Sequence, residues 1–285
     1  MTFLVFGKTG QVARELAQFD GVHCVGRAEA DLRDPDQCVA LIKQTDAKAV
    51  INAAAYTAVD RAEAEPQLAH QINATTPGAM AQAAAERGLP FVQISTDYVF
   101  DGSGDQPWST QGPANPLGVY GQSKWNGEEL IRRAQGVHAI LRTSWVFSAH
   151  GSNFVKTMLA LSDTRPALSI VADQVGGPTP AADIAQACVT IANALCQDPK
   201  YTDTYHFSGA PAVSWADFAR AIFAASGKDV TVTDIPSSGY PTPAARPPNS
   251  RLDCTTTTQT FGLPQPDWHA GLMQVLDDLN RKALS

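Results

Sequence analysis

The chain has 285 residues, 44% of them apolar and 17% charged, which excludes a disordered or fibrous polypeptide and leaves one large or two smaller globular units. Against 28 Asp and Glu stand 21 Lys and Arg, a net charge of -7, so the average surface repels phosphate backbones and nucleic acid is not expected as a partner. The opening apolar run, residues 3–6, is far too short for a signal peptide or membrane span, and the five cysteines include no C-x-x-C pair; a cytoplasmic protein without a membrane partner, disulfide framework or zinc site is expected.

In chain order, short β-rich runs alternate with longer helical patterns, the signature of βαβ units feeding a parallel sheet. Strands are predicted at residues 2–6, 23–25, 49–52, 91–95 and 138–142, with helices between them. The clearest helix is the Ala-rich stretch 77–87, closed by Gly88 with Pro90 just beyond. Past Val146 the pattern changes: helices at 154–161 and 183–195, a strand at 205–208, a helix at 215–225, a Pro-dense stretch at 236–248 and a last amphipathic helix at 271–282. No fixed-period repeat is present, and the other biased segment is the Thr run 255–258. The expectation is an α/β fold: a Rossmann-type doubly wound parallel sheet with a smaller C-terminal α/β substrate lobe. The dinucleotide-binding domain should comprise residues 1–146 plus about 170–210, and the substrate domain about 147–169 plus 211–285.

Three stretches carry chemistry. Gly7-Lys8-Thr9-Gly10-Gln11-Val12-Ala13 follows the first strand and opens a helix; its two glycines let the backbone turn tightly beside a pyrophosphate seated at a helix N-terminus. An ordinary Gly-rich turn would read the same, whereas a P-loop is excluded because position 2 is Thr, where that motif needs Gly. Ser95-Thr96-Asp97 lies at the end of the fourth strand, where open parallel sheets bind ligands and a hydroxyl can reach a carbonyl oxygen; strand-end turn chemistry is the competing explanation. Tyr120 and Lys124 stand i, i+4 and share a helix face. An ammonium beside a phenol favours the phenolate, so Lys124 is expected to bring the Tyr120 pKa toward neutrality.

Together these stretches, with Asn52 to Asp60, Arg142-Thr143-Ser144-Trp145-Val146 and Arg246-Pro247-Pro248-Asn249-Ser250-Arg251-Leu252, resemble the extended short-chain dehydrogenase/reductases, and within them the dTDP-4-dehydrorhamnose reductase family. The resemblance spans nearly the whole chain. It implies reduction of the C4 ketone of dTDP-4-dehydro-L-rhamnose to dTDP-L-rhamnose, with a dTDP-sugar as the small-molecule partner. It further implies that Gly7, Gly10, Gln11 and Val12 hold the cofactor pyrophosphate, that Asp31 and Leu32 flank its adenine, and that Ala54, Ala55 and Thr57 line its ribose and nicotinamide side. Tyr120 would donate the proton, Lys124 would bind the nicotinamide ribose, and Thr96 would hydrogen-bond the substrate oxygen. Asp97 and Trp145 would contact substrate, with Arg246 and Arg251 clamping its diphosphate; core packing is the competing explanation for Trp145, and a solvated loop for the arginines. A nucleotide-sugar epimerase shares this fold and triad, and a non-catalytic subunit like the β subunit of methionine adenosyltransferase remains a third reading.

Two expectations rest on departures from the pattern. Some family members dimerise around Mg2+ held by glutamates; here Ala181-Ala182-Asp183 stands where a Glu is expected and the tail to Ser285 supplies no acidic ligand, so no metal and a monomer are expected. The second strand ends in Val25-Gly26-Arg27 without the carboxylate that selects NAD. Arg27 can instead pair with the 2'-phosphate of NADPH, which predicts NADPH as the preferred cofactor with NADH also accepted.

Overall fold

The computed structural model describes residues 1–283. Its first five strands are β1 (Phe3–Phe6), β2 (Val22–Val25), β3 (Ala49–Asn52), β4 (Phe91–Thr96) and β5 (His138–Thr143), each within a residue of its predicted bounds. Between them run α1 (Gln11–Leu16), α2 (Pro35–Gln44), α3 (Val59–Ala62), α4 (Pro66–His70), α5 (Thr76–Glu86) and α6 (Val119–Arg133), with a π-turn at Gln71–Thr75. Then follow β6 (Val146–Phe147), α7 (Phe154–Ser162), β7 (Ala167–Val171), β8 (Val175–Gly176), β9 (Thr179–Pro180), α8 (Ala181–Gln197) and β10 (Asp203–His206). The chain ends with β11 (Val213–Ser214), α9 (Trp215–Ser226), β12 (Thr231–Ile235), β13 (Asn249–Ser250), α10 (Thr255–Phe261) and α11 (Trp268–Ala283).

Six parallel strands form the main sheet in the order β10-β5-β4-β3-β1-β2. Helices α1 and α8 cover one face, where Leu16, Ile184, Cys188 and Ile191 pack on Val5, Ile51 and Leu141. Helices α2, α5 and α6 cover the other, where Ile42, Met80, Ala84 and Ile131 pack on Leu4, Phe6, Val50 and Ile140. Covering on both sides explains why β1 is an unbroken apolar run rather than an alternation. The winding reverses between β1 and β3, which opens a crevice beyond their C-terminal ends.

A further core joins α7, α9 and α11 through Val155, Met158, Phe218, Ile222, Trp268, Leu272 and Leu276. The parallel pair β7 and β12 borders it, and the short strands β11-β8-β13 and β6-β9 connect it to the region just beyond β5. Helix α9 has its ends fixed locally: Ser214 Oγ accepts from the Asp217 amide at 3.0 Å, and Gly227 ends the helix at φ 65°. The predicted strand at 205–208 lies two residues earlier, at Asp203–His206, and neither β7 nor β12 was expected. The Thr run forms α10, tied to β10 by a 2.6 Å bond from Thr257 Oγ1 to the His206 carbonyl. All five cysteines are free, and among the described residues no helix is long and apolar enough to cross a membrane.

Candidate active site

The Gly turn sits at the switch point of the sheet. Gly7 has φ 124°, and a Cβ there would lie 3.2 Å from Ala13 Cβ and 3.3 Å from the Ala53 carbonyl carbon, so the turn needs a residue without a side chain. Nothing stands within 4 Å of the corresponding position at Gly10, and α1 begins there with no side-chain cap and no acidic residue in its first turn. Its leading amides are therefore open to an anion, and the cradle fits a dinucleotide pyrophosphate. Val12 is buried, while Gln11 Oε1 accepts from Ser148 Oγ at 3.0 Å and Asn153 Nδ2 at 2.9 Å; Gln11 thus ties the turn to the segment after β6.

Ala54, Ala55 and Thr57 follow β3, across the switch point from that turn. Asn52 Oδ1 accepts from the Ala54 amide at 3.2 Å, and Asn73 Oδ1 accepts from the Tyr56 amide at 2.8 Å, which fixes the loop. After β2, Arg27 is exposed. Asp31 is engaged by Arg33, whose Nε donates to it at 2.8 Å and holds its carboxyl below the usual range, and Leu32 is buried. No carboxylate stands at the end of β2 itself, but one lies four residues further on, in the turn. Glu29 folds back so that its Oε2 accepts from the Gly26 amide at 2.7 Å, while Lys8 Nζ lies 3.4 Å from Oε1. It belongs to the turn rather than to the strand, so a search of the strand end passes over it.

Thr96, Asp97, Tyr120 and Lys124 come together at the C-terminal end of β4. Thr96 Oγ1 accepts from the Tyr98 amide at 3.2 Å and donates to Asp97 Oδ1 at 3.0 Å. Asp97 is 3% exposed, its Oδ2 has no hydrogen-bond partner, and burial pushes its carboxyl up to about 6 against the pull of the Ser250 and Thr96 hydroxyls. The Tyr120 ring meets Tyr98 edge to face at 5.5 Å. Burial pushes the Tyr120 phenol up to about 12, with Thr96 acting against the rise. Lys124 Nζ donates to the Ile94 carbonyl at 2.7 Å, and burial brings its pKa down to about 8, with Glu128 opposing.

The expected lowering of the Tyr120 pKa by Lys124 is therefore not found: desolvation dominates both groups, and the ammonium is spent on a backbone carbonyl. A phenol kept protonated at neutral pH is the form a proton donor needs.

Trp145 has φ 49°, a strained backbone for a bulky residue, and its ring stacks on Trp215 at 3.5 Å. Gly176 leaves room for that ring, since a Cβ there would come within 2.7 Å of Trp145 Cε2. Neither arginine is free-standing. Arg246 Nη2 donates to Asp60 Oδ2 at 2.7 Å, and Asp60 Oδ1 also accepts from the Ala244 amide at 3.2 Å. Arg251 Nη1 is held by Asn249 Oδ1 at 3.1 Å and the Asp105 carbonyl at 3.3 Å, turned toward the loop after β4. Sequence reasoning missed Asp60 as the partner of Arg246, and also Glu63, whose Oε1 accepts from the Val119 amide at the start of α6 at 2.8 Å. Near α11, Glu15 faces His150 Nε2 at 3.5 Å, and burial, with Asp278 of that helix adding to it, raises the Glu15 pKa. The tail region is thus not devoid of acidic groups near Glu15.

A doubly wound sheet with an open glycine turn at its switch point, and a Thr, Tyr and Lys set beyond β4, defines a dinucleotide-binding protein of the short-chain dehydrogenase/reductase type. Residues 1–281 match the RmlD substrate binding domain, and the chain belongs to that family. It is 42% identical to a dTDP-4-dehydrorhamnose reductase of Sinorhizobium fredii over 278 residues, 94% of either chain. Solved structures that bear the same name include two with more than 30% identity. That from Clostridium acetobutylicum is 35% identical, with TM-score 0.92 over 98% of this chain and 100% of that one. That from Bacillus anthracis, in complex with NADP, is 32% identical, with TM-score 0.89 over the same shares.

Proposed function

We propose that this protein is a dTDP-4-dehydrorhamnose reductase that uses NADPH, and also NADH, to reduce the C4 ketone of dTDP-4-dehydro-L-rhamnose to dTDP-L-rhamnose. The observation that carries the reading is the meeting of Thr96 with a half-buried, protonated Tyr120 at the C-terminal end of β4, in a chain whose named relative from Sinorhizobium fredii matches over 94% of its length. When bound, the reduced nicotinamide supplies the hydride. The Thr96 hydroxyl and the Tyr120 phenol donate to the ketone oxygen, so negative charge developing there meets two donors already in place. Tyr120 then gives its proton to the sugar oxygen, and Lys124, held by the Ile94 carbonyl, would bind the nicotinamide ribose. Asp97 and Trp145 contact the sugar. Arg246, shared with Asp60, and Arg251 reach the diphosphate. Gly7, Gly10, Gln11 and Val12 would hold the pyrophosphate, Asp31 and Leu32 would flank the adenine, Ala54, Ala55 and Thr57 would line the ribose side, and Arg27 would pair with the 2'-phosphate.

The division of labour gives the dinucleotide to residues 1–146 with about 170–210 and the sugar nucleotide to about 147–169 with 211–285; β7, paired along its length with β12, and β8, paired with β11 and β13, lie with the second group, which moves that boundary past Gly176. The protein is read as a cytoplasmic monomer without a structural metal. Supporting this, Glu15 faces His150 at 3.5 Å, and Lys282 opposes the rise that burial and Asp278 cause in its pKa, so a cation already lies beside the carboxylate. Light scattering with Mg2+ and with EDTA tests the assembly: a monomer is expected in both, and a Mg2+-dependent dimer would overturn it.

The reaction is tested by following NAD(P)H absorbance while the upstream enzymes generate the ketosugar, with the product identified by NMR. Stoichiometric oxidation of NADPH to give dTDP-L-rhamnose is expected. A protein that purifies with NAD firmly bound and interconverts epimers without net oxidation would overturn the reading in favour of an epimerase. Binding of both ligands without turnover would favour a non-catalytic subunit.

A further inference from the structure

The face of α6 that carries Tyr120 and Lys124 continues one turn further to Glu128, a residue with no part in the chemistry above. Glu128 is 1% exposed. Its Oε1 accepts from Ser95 Oγ at 2.6 Å and Arg142 Nε at 2.9 Å, and its Oε2 from Arg142 Nη2 at 2.6 Å and Arg132 Nη2 at 2.8 Å. Ser95 and Arg142 are paired residues on neighbouring strands, and the next pair along is Thr96 with Thr143. A single carboxylate thus joins α6 to β4 and β5 one residue short of the reacting hydroxyl.

The helix needs such a tie. It lies against its neighbours through glycines: a Cβ at Gly121 would fall 2.2 Å from the Tyr98 carbonyl oxygen, and one at Gly127 would fall 2.1 Å from that of Asn73. Contacts without side chains permit close approach but interlock poorly against sliding or rotation, whereas directional bonds to a carboxylate set both. Net stabilisation is a weak explanation for the arrangement, because the desolvation of a buried ion pair offsets most of its attraction. Arg142 is itself fixed, lying 5.1 Å over the Phe100 ring and 5.8 Å over that of Trp125.

We propose that Glu128, clamped by Arg142 and Ser95, is a positioning residue that sets α6 so that Tyr120 meets Thr96 and Lys124 meets the end of β4. The inference rests on the reductase reading for its kinetic consequences. Glu128 also acts on the charge of Lys124, since its carboxylate opposes the fall in the Lys124 pKa caused by burial. The other titratable and charged groups around this part of α6 are Arg132 on the same helix, Arg142, Asp97 and Tyr98 after β4, Glu63 at the helix start, and His206 on β10, which burial brings down to about 3 and so keeps neutral.

The test compares Glu128→Gln, Ser95→Ala and the double variant Glu128→Gln/Arg142→Gln with the wild type. Each is assayed for kcat across pH, NADPH affinity by fluorescence, and the Lys124 titration by NMR of lysine-labelled protein. A misplacement on the order of 1 Å costs about 10²-fold, so Glu128→Gln should lose about that much kcat while NADPH affinity stays within a few-fold. Its Lys124 titration and the alkaline limb of its rate profile should both move to lower pH. Ser95→Ala should show a smaller loss of kcat. The double variant leaves no unpaired guanidinium at position 142 and should stay as slow as Glu128→Gln. Should the single Gln variant fail to fold, Ser95→Ala and the double variant decide the matter. Folded variants with wild-type kcat, or recovery of kcat in the double variant, would overturn the proposal. An inactive wild type would instead overturn the reductase reading, while the Lys124 titration, which needs no substrate, would still report on Glu128.

Discussion

Replacing Asp97 by Asn should stabilise the protein in a manner that depends on pH. Asp97 is 3% exposed with one oxygen unpartnered, and its folded pKa of about 6 exceeds its ordinary 3.8. A folded pKa above the unfolded one means that the native state holds the extra proton between those values. The ionised carboxylate therefore destabilises the fold above about pH 6, and the penalty is relieved as pH falls toward 4. At about 1.4 kcal/mol per pKa unit the full penalty is about 3 kcal/mol, and about half of it remains at pH 5. With about 2 °C per kcal/mol in a chain of this size, the Tm gap between Asp97→Asn and wild type should narrow by about 3 °C from pH 8 to pH 5. Calorimetry of both proteins in matched buffers reads that narrowing. The constant part of the gap contains whatever the carboxamide gains or loses in its new bonds, so the slope carries the argument. Parallel Tm profiles from pH 8 to 5 would refute the account of Asp97 as a carboxylate raised by burial. Turnover should fall in the same variant, trading activity for stability at the position proposed to contact the sugar.

Tyr120→Phe should lower kcat by about 10²-fold or more while leaving NADPH affinity within twofold, since it removes the proton donor but not the cradle; stopped-flow turnover and fluorescence titration check the two halves. Arg27→Ala should abolish the preference for NADPH over NADH, read as the ratio of kcat/KM values, because the guanidinium is the partner assigned to the 2'-phosphate. A strong NADH preference in the wild type would refute that assignment. Gly177→Ala should destabilise by about 1–3 kcal/mol or more, because its Cβ would fall 2.1 Å from the Gly209 carbonyl oxygen, backbone that has no rotamer to yield; thermal melts check it.

Much of the main sheet was legible because its strands are covered on both faces. Phe3-Leu4-Val5-Phe6 and Ala49-Val50-Ile51-Asn52 are fully buried runs bounded by turn residues, and local pattern suffices to find them. Strands β7 and β12 were not legible: they pair with each other and leave Ala167, Ser169, Thr231 and Thr233 exposed, so neither has a strong signal alone. Helix α10 was hidden by four threonines of low helix propensity, which tertiary bonds such as Thr257 to His206 override. At the site, spacing found Tyr120 and Lys124 because i, i+4 is a local relation. It could not find Glu29, Asp60 or Glu128, whose importance lies in partners fixed by the fold. Nor could it foresee that Lys124 would bond the Ile94 carbonyl, since burial depth is a property of the packed molecule.

Distance along the chain between the parts of the site has a temporal consequence. The last strand of the main sheet, β10, ends at His206, whereas Arg246 and Ser250 arrive well after it. A ribosome that has delivered the glycine turn, helix α6 and every strand of the main sheet has yet to deliver Ser250, whose hydroxyl acts on Asp97, and Arg246, which bonds Asp60. Until Ser250 is delivered, Asp97 lacks one of the two hydroxyls that draw its pKa down against burial. The buried carboxylate is thus completed by residues made after the sheet that carries it.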